Sequence, residues 1–217
     1  MRMEGVLGLL AGQAVIVDPA STPAALCYKI LIGSVAPRPI AFVSSLSPTG
    51  VRNLAPFSFF NAVCGEPPVI AFSTSFREPR KDTLVNIRAT GDFVVNIVSE
   101  DIAEQMNLCS GEYPPDTDEF AISGLTPIAS EVVRAPRVKE SRVNMECRLL
   151  QTINVSTRPG GGTLILGEVV RFHVDDAIIN PAYHIDADEL RPIGRMGGND
   201  YARTRDRFAL VRPGGQA

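Results

Sequence analysis

The stretch from Arg38 to Thr83 constrains the fold more than any other part of the chain. It reads RPIAFVSSLSPTGVRNLAPFSFFNAV and then, after a short connection, PPVIAFSTSFREPRKDT. Residues 39–46 alternate as a strand does, with Ile40, Phe42, Ser44 and Leu46 on one face and Ala41, Val43 and Ser45 on the other. Ser47-Pro48-Thr49-Gly50 is a turn, with proline second and glycine fourth. Residues 51–60 return as a second strand, which Pro56 marks as an edge or a bulge. Residues 68–75 form a third strand that becomes polar at its end, where a basic loop opens a helix. Few folds need that order of parts.

The rest of the chain continues in the same style. Asp82 to Ala89 reads as a short helix with Leu84 and Ile87 on one side and Gly91 as its stop. DFVVNIV follows as a strand. Ser99 stands at the N-cap of a second helix, with Glu100 and Asp101 where the helix dipole favours acids. Ile102, Met106 and Cys109 share its buried face. Later, Val143, Met145, Cys147, Leu149, Ile153 and Val155 alternate with polar residues. Pro159-Gly160-Gly161-Gly162 then turns the chain into a second long strand with Leu164, Leu166, Val170, Phe172 and Val174 on one face. That pair is a hairpin. Mainly β structure with short helices, not in βαβ order, predicts a small antiparallel barrel of about six strands.

Composition narrows the function. At 217 residues, 45% of them hydrophobic, the chain can bury a sizeable core. No repeat or low-complexity segment divides it, so it is read as one domain. A net charge of -3 with no basic stripe argues against nucleic acid as a partner. Cys27, Cys64, Cys109 and Cys147 are widely spaced, and His173 and His184 are the only imidazoles. No metal site is expected, and reduced thiols point to the cytoplasm. The apolar run from Val6 to Val17 is too short to span a bilayer. With Glu4 beside Arg2 and no clean A-x-A site, it reads as a short strand or loose start rather than an export signal.

Two clusters could carry chemistry. In Ser73-Thr74-Ser75-Phe76-Arg77-Glu78-Pro79-Arg80-Lys81-Asp82-Thr83, hydroxyls and cations meet a helix N-terminus, which suits a phosphate. The same residues also read as a solvated basic loop in which Asp82 or Thr83 caps the helix. In Asn53-Leu54-Ala55-Pro56-Phe57-Ser58-Phe59-Phe60-Asn61, small residues let a flat ring approach the backbone, and Asn53, Ser58 and Asn61 can address its polar edge. The competing reading is a bulged edge strand, with Phe57, Phe59 and Phe60 in the core. The other candidates read as structural. Gly160 to Thr163 lacks the spacing of a P-loop. Asp116, Asp118 and Glu119 sit in a proline-rich loop and are assigned to the surface. Cys64 is read as packing and His173 as a polar-face residue. The segment from Gly194 to Arg203 is either a loop over a ligand or an exposed turn.

The chain resembles the flavin reductase-like family of FMN-binding split barrels over residues 17–212, which leaves 1–16 as an extension before the family's usual start and 213–217 as a tail. The resemblance rests on an ordered set: YKILIGSVAPRPIAFVSS, NLAPFSFFNAV, PPVIAFS, RKDTLVNI, DFVVNIVSE, ECRLLQ, GGTLILGEVV and RPIGRMGGNDYAR. It implies a six-stranded antiparallel Greek-key split barrel and a homodimer with FMN near the interface. It would set the flavin ring against Asn53, Ala55, Pro56, Ser58 and Asn61, and the phosphate at Ser73, Arg80, Lys81 and Thr83. The strand from Arg38 to Ser45 would flank the ring, and Tyr201 would approach it. One feature departs from some reductases of the family, which carry an Asp-His pair before the Thr-Leu of the late strand. Here Gly161 and Gly162 stand there. The implied activity is NAD(P)H-dependent reduction of FMN, or of FAD, with reduced flavin passed to an oxygenase or another acceptor. An FMN-retaining electron carrier served by a partner protein and an FMN enzyme acting directly on a small organic molecule are the alternatives. Hydride transfer to flavin needs aligned rings rather than a general base, so the scarcity of histidine does not oppose it.

Overall fold

The computed structural model describes residues 14–211 and 213–214. The expected extension therefore lies outside the described residues up to position 13. The chain folds as one antiparallel sheet with short helices laid against it. In order, α1 (Ala24–Ser34), β1 (Ala41–Leu46), β2 (Arg52–Phe57), β3 (Phe60–Gly65), β4 (Pro68–Ser75), α2 (Asp82–Thr90) and β5 (Asp92–Ile97) form the first half. A 3-10 turn (Glu100–Ile102), α3 (Ala103–Leu108), α4 (Glu119–Ser123) and a two-stranded ribbon of β6 (Pro127–Ile128) and β7 (Arg137–Val138) follow. The long hairpin of β8 (Val143–Asn154) and β9 (Gly162–Val174) completes the main sheet. After a one-turn α5 (Ala187–Leu190), the chain ends in the small hairpin of β10 (Ile193–Arg195) and β11 (Tyr201–Arg203).

The main sheet has seven strands in the order β2-β1-β5-β8-β9-β4-β3, not the six expected. The extra strand comes from residues 51–60, which break at Ser58 and Phe59 instead of running through. Its halves pair with different neighbours: Ala55 faces Val43 of β1, while Phe60 faces Phe72 of β4. β2 and β3 thus occupy opposite edges although two residues join them. Seven flat strands would separate the edges by about 29 Å, whereas three peptide steps reach about 11 Å. The sheet must roll up, and the Ser58–Phe59 link is where it nearly closes. Pro56 is tolerated because β2 is an edge.

Rolling creates an inside and an outside. Ala41, Val43, Phe57, Ile70, Phe72, Phe93, Val95, Ile165 and Val169 fill the interior, and Leu84 and Ile87 of α2 plug it. On the outer side, Ile40, Phe42 and Leu54 pack with Ile102, Met106, Cys109 and Phe120. The alternation of β1 therefore serves two cores. On β9 the buried face is Thr163, Ile165 and Val169, and Leu164, Leu166 and Val170 are only half-buried while Phe172 is 52% exposed. The face that carries Leu164, Leu166, Val170 and Phe172 is the outer one, because the barrel closes on the opposite side. Phe93 is edge-on to Phe72, with ring centroids 5.6 Å apart, and fills the space above Gly167.

Local signals fared unevenly. Gly91 ends α2 in the left-handed conformation at φ 76°, as its position suggests. Ser99 precedes a 3-10 turn rather than an α-helix, and its hydroxyl makes no cap hydrogen bond. Cys64 is exposed on β3 rather than packed. His173 sits on β9 with Nε2 2.6 Å from Oε1 of Glu146, a fully buried carboxylate. Burial pushes Glu146 up, but the amides of Glu131, Val132 and Val133, with His173, outweigh it and hold the carboxyl below its usual range.

A Cβ at Gly167 would lie 2.3 Å from Cζ of Phe93. Gly167→Ala is therefore expected to cost about 1–3 kcal/mol through overpacking, read as a lower urea midpoint with an unchanged slope.

Candidate active site

Where the rolled sheet nearly closes, a cleft of about 1450 Å³ opens between α1, β2, β4, the start of α2, the tip of the β8–β9 hairpin and the β10–β11 loop. Its walls bring together Arg38, Asn53, Ala55, Pro56, Ser58, Ser73, Lys81, Thr83 and Tyr201. Asn61 and Arg80 are the expected site residues that do not line it. Asn61 is exposed on the edge strand β3. Arg80 stacks its guanidinium 4.1 Å from the Phe76 ring centroid and donates from Nε to Glu78. Arg77, three residues earlier, takes the place on the wall that the sequence reading gave to Arg80.

One end of the cleft carries two cations, Lys81 and Arg77, the latter paired through Nη1 with Glu112 at 2.5 Å. Lys81 stands at the N-cap of α2, beside Arg77 and the hydroxyl residues Ser73, Thr74 and Ser75. Burial, together with the nearby Arg77 charge, lowers the Lys81 ammonium below its ordinary pKa. Nε of Arg77 and Oγ1 of Thr74 are buried with no hydrogen-bond partner. Crowded cations, orphaned polar atoms and the free amides of a helix N-terminus together describe a site that gains from an anion.

The middle wall is the backbone of Ala55 to Ser58, and below it lies a buried polar group. Glu119, the first residue of α4, is 6% exposed rather than on the surface, while Asp118 caps α4 through the amide of Phe120 and pairs with Arg52. Glu119 accepts from the Asn53 amide nitrogen and the Leu54 backbone N–H, each at 3.0 Å. β2 is an edge, so Leu54 N–H would otherwise be orphaned. Burial raises the Glu119 carboxyl above its ordinary range despite these hydrogen bonds, and the Asp82 charge adds to the shift. A proline-rich acidic loop gave no signal of this role, which requires α4 to dock beneath β2.

Arg38, which lines the cleft, also ties its walls together. Its Nη1 donates to the carbonyls of Ile32 and Val35, both at 2.7 Å, and its Nη2 to Met196 at 2.9 Å. It clamps the end of α1 to the β10–β11 loop, two walls that approach the cleft from distant parts of the sequence. Tyr201 carries Arg195 at 4.5 Å from its ring centroid. α1 itself was not anticipated, and Tyr28, Lys29 and Ile32 bring it to the cleft. Among the described residues no group of three or more His, Cys, Asp or Glu side chains is placed to hold a metal ion. No described helix is long and apolar enough to cross a membrane.

This barrel and cleft agree with what comparison with known proteins finds. The flavin reductase like domain matches residues 33–193, and the chain belongs to that family. An uncharacterised protein of Aquifex aeolicus is 43% identical over 178 residues, 81% of this chain and 89% of its own length. Among solved structures, nitrilotriacetate monooxygenase component B from Bacillus cereus superposes with a TM-score of 0.88 at 37% identity, covering 92% of this chain and all of the other. The 2-nitrobenzoate 2-nitroreductase NbaA of Pseudomonas fluorescens gives 0.84 at 32% identity, over 94% of this chain and 98% of that one.

Because Glu119 has a folded-state pKa above its unfolded value, its contribution to stability is full below the unfolded pKa of about 4.3. It is lost as pH rises through the folded value. The stability of the protein relative to Glu119→Gln is expected to fall as the pH is raised from 4 to 7, measured by paired urea titrations. A rising difference would reverse the sign of the shift.

Proposed function

We propose that the cleft holds FMN and that the protein is an NAD(P)H-dependent flavin reductase supplying reduced flavin to an oxygenase or another acceptor. The observation that carries this reading is the crowded pair of Arg77 and Lys81 at the start of α2, with Nε of Arg77 left without an acceptor. Ser73, Ser75, Arg77 and Lys81 would hold the phosphate, and Ala55 to Ser58 would back the ring. Tyr201 and Arg195 would close the opposite wall. Bound there, FMN would supply the hydride and electron chemistry, which the side chains of the cleft do not. The chain's own task is to hold two rings in register and keep water away. That the Bacillus cereus relative is a monooxygenase component supports an oxygenase as the recipient.

A second reading has its own support. NbaA is named for reducing 2-nitrobenzoate, and the cleft has room for a second ring beside a flavin. Direct reduction of a small aromatic molecule would then replace release of reduced flavin. A homodimer fits both readings. α1 has no buried residue and leaves Leu26, Ile30 and Leu31 about half exposed, and β3 is exposed over Asn61 to Gly65. Sedimentation at micromolar concentration is expected to give twice the chain mass.

Mixed anaerobically with FMN, the protein is expected to bleach the flavin band rapidly on addition of NADH or NADPH. A bound flavin that stays oxidised would instead favour a carrier reduced by a partner protein. Arg77→Ala and Lys81→Ala are each expected to weaken FMN binding about tenfold or more, the scale of a charge-assisted hydrogen bond, whereas Arg80→Ala should leave it nearly unchanged. Fluorescence titration measures all three.

A further inference from the structure

We infer that Glu119 is a positioning residue for the flavin ring, and that Thr83 belongs to the same brace rather than to the phosphate site. This inference rests on the flavin reading above.

It follows from accounting for each proton. Asn53 is buried on β2, and its amide has a definite sense. Nδ2 donates to Glu119 at 3.0 Å, while Oδ1 accepts from Thr83 Oγ1 at 2.7 Å and from Ser45 Oγ at 3.2 Å. Ser45 Oγ in turn accepts from Asn86 Nδ2 at 3.2 Å. Turning the amide over would set its oxygen against Oε1 of Glu119, which accepts here while Oε2 is held by the Leu54 N–H. The acceptor at Glu119 therefore decides which way Asn53 faces. Once Asn53 faces that way, Thr83 spends its single O–H on Oδ1 and has no hydroxyl proton for a phosphate oxygen. Thr83 is 1% exposed, in keeping with a brace between α2 and β2.

The same carboxylate holds the N–H of Leu54, the residue before Ala55. One side chain from α4 thus fixes the backbone that leads into the ring wall and, through Asn53, ties that wall to α2. Disturbing it should move the ring rest and leave the phosphate donors where they are. Riboflavin, which has the ring and no phosphate, separates the two effects.

The experiment is a set of titrations with FMN and with riboflavin, followed by flavin fluorescence and by the visible spectrum of the bound flavin. Glu119→Gln keeps one acceptor oxygen but sets an NH2 group against one of the two N–H donors, Asn53 Nδ2 or Leu54 N–H, and Thr83→Val removes the hydroxyl without changing the shape. Both are expected to weaken FMN and riboflavin by the same factor, on the order of tenfold for Glu119→Gln, with a shift in the bound spectrum. Thr83→Ser should restore both affinities. Lys81→Ala should weaken FMN alone. If Thr83→Val weakens FMN and spares riboflavin, Thr83 is a phosphate ligand and the inference is overturned. It is equally overturned if Glu119→Gln binds both flavins as the parent does. Should Glu119→Gln not fold, Thr83→Val with its serine rescue decides the matter. A parent protein that binds neither flavin overturns the flavin reading itself, and this inference with it.

Discussion

Everything else in this molecule depends on the two-residue link at Ser58 and Phe59. It places consecutive strands on opposite edges of one sheet, so the sheet has no flat solution. Rolling the sheet brings the backbone of Ala55 to Ser58 to the same cleft as the polar end of β4 and the start of α2. The wall suited to a flat ring and the loop suited to an anion become parts of one site for that reason. An uninterrupted strand over residues 51–60 would give neither the seventh strand nor the cleft.

The handling of buried polar groups separates scaffold from site. In the scaffold most are consumed, Asp92 Oδ1 and Ser99 Oγ being exceptions. Asn96 donates to the Phe42 carbonyl and accepts from Val138 N–H and Asn144, and Glu146 pins three consecutive amides. At the cleft some are left over: Nε of Arg77, Nε of Arg38 and Oγ1 of Thr74 are buried without partners. An unpaired buried polar atom is costly, so those that line the cleft would gain from a ligand that pairs them. Glu119 lies between the two classes, paired by protein groups yet lining the cleft.

Local signals carried much of the architecture. The alternation of β1, the Ser47–Gly50 turn, Gly91 at the end of α2 and the glycine-rich turn before β9 each depend on nearest neighbours, and each appears where the residues suggest. The failures share a cause. Alternation places Leu164, Leu166 and Phe172 on one face of β9 but does not say which face is inside, because a strand's two faces are equivalent until the curvature of the sheet chooses one. The family resemblance set Arg80 at the phosphate, but Arg80 lies over the Phe76 ring while Arg77 lines the cleft. Asn53 and Lys81 were legible because they belong to the strand and loop that define the site. Glu119 was not, because its meaning comes from docking against β2 some 66 residues away in the chain.

The amino-acid sequence by itself determined where strands and turns form, that the basic hydroxyl-rich loop meets a helix start, and which family the chain resembles. These follow from side-chain periodicity and from turn chemistry, which act over a few residues. Only the tertiary structure decided which face of each strand is inside, which cation reaches the cleft, and that Arg38 and Glu119 hold the walls in place. Those outcomes depend on sheet closure and on hydrogen bonds between segments far apart in the chain. The energy of such contacts exists only after the barrel has rolled up.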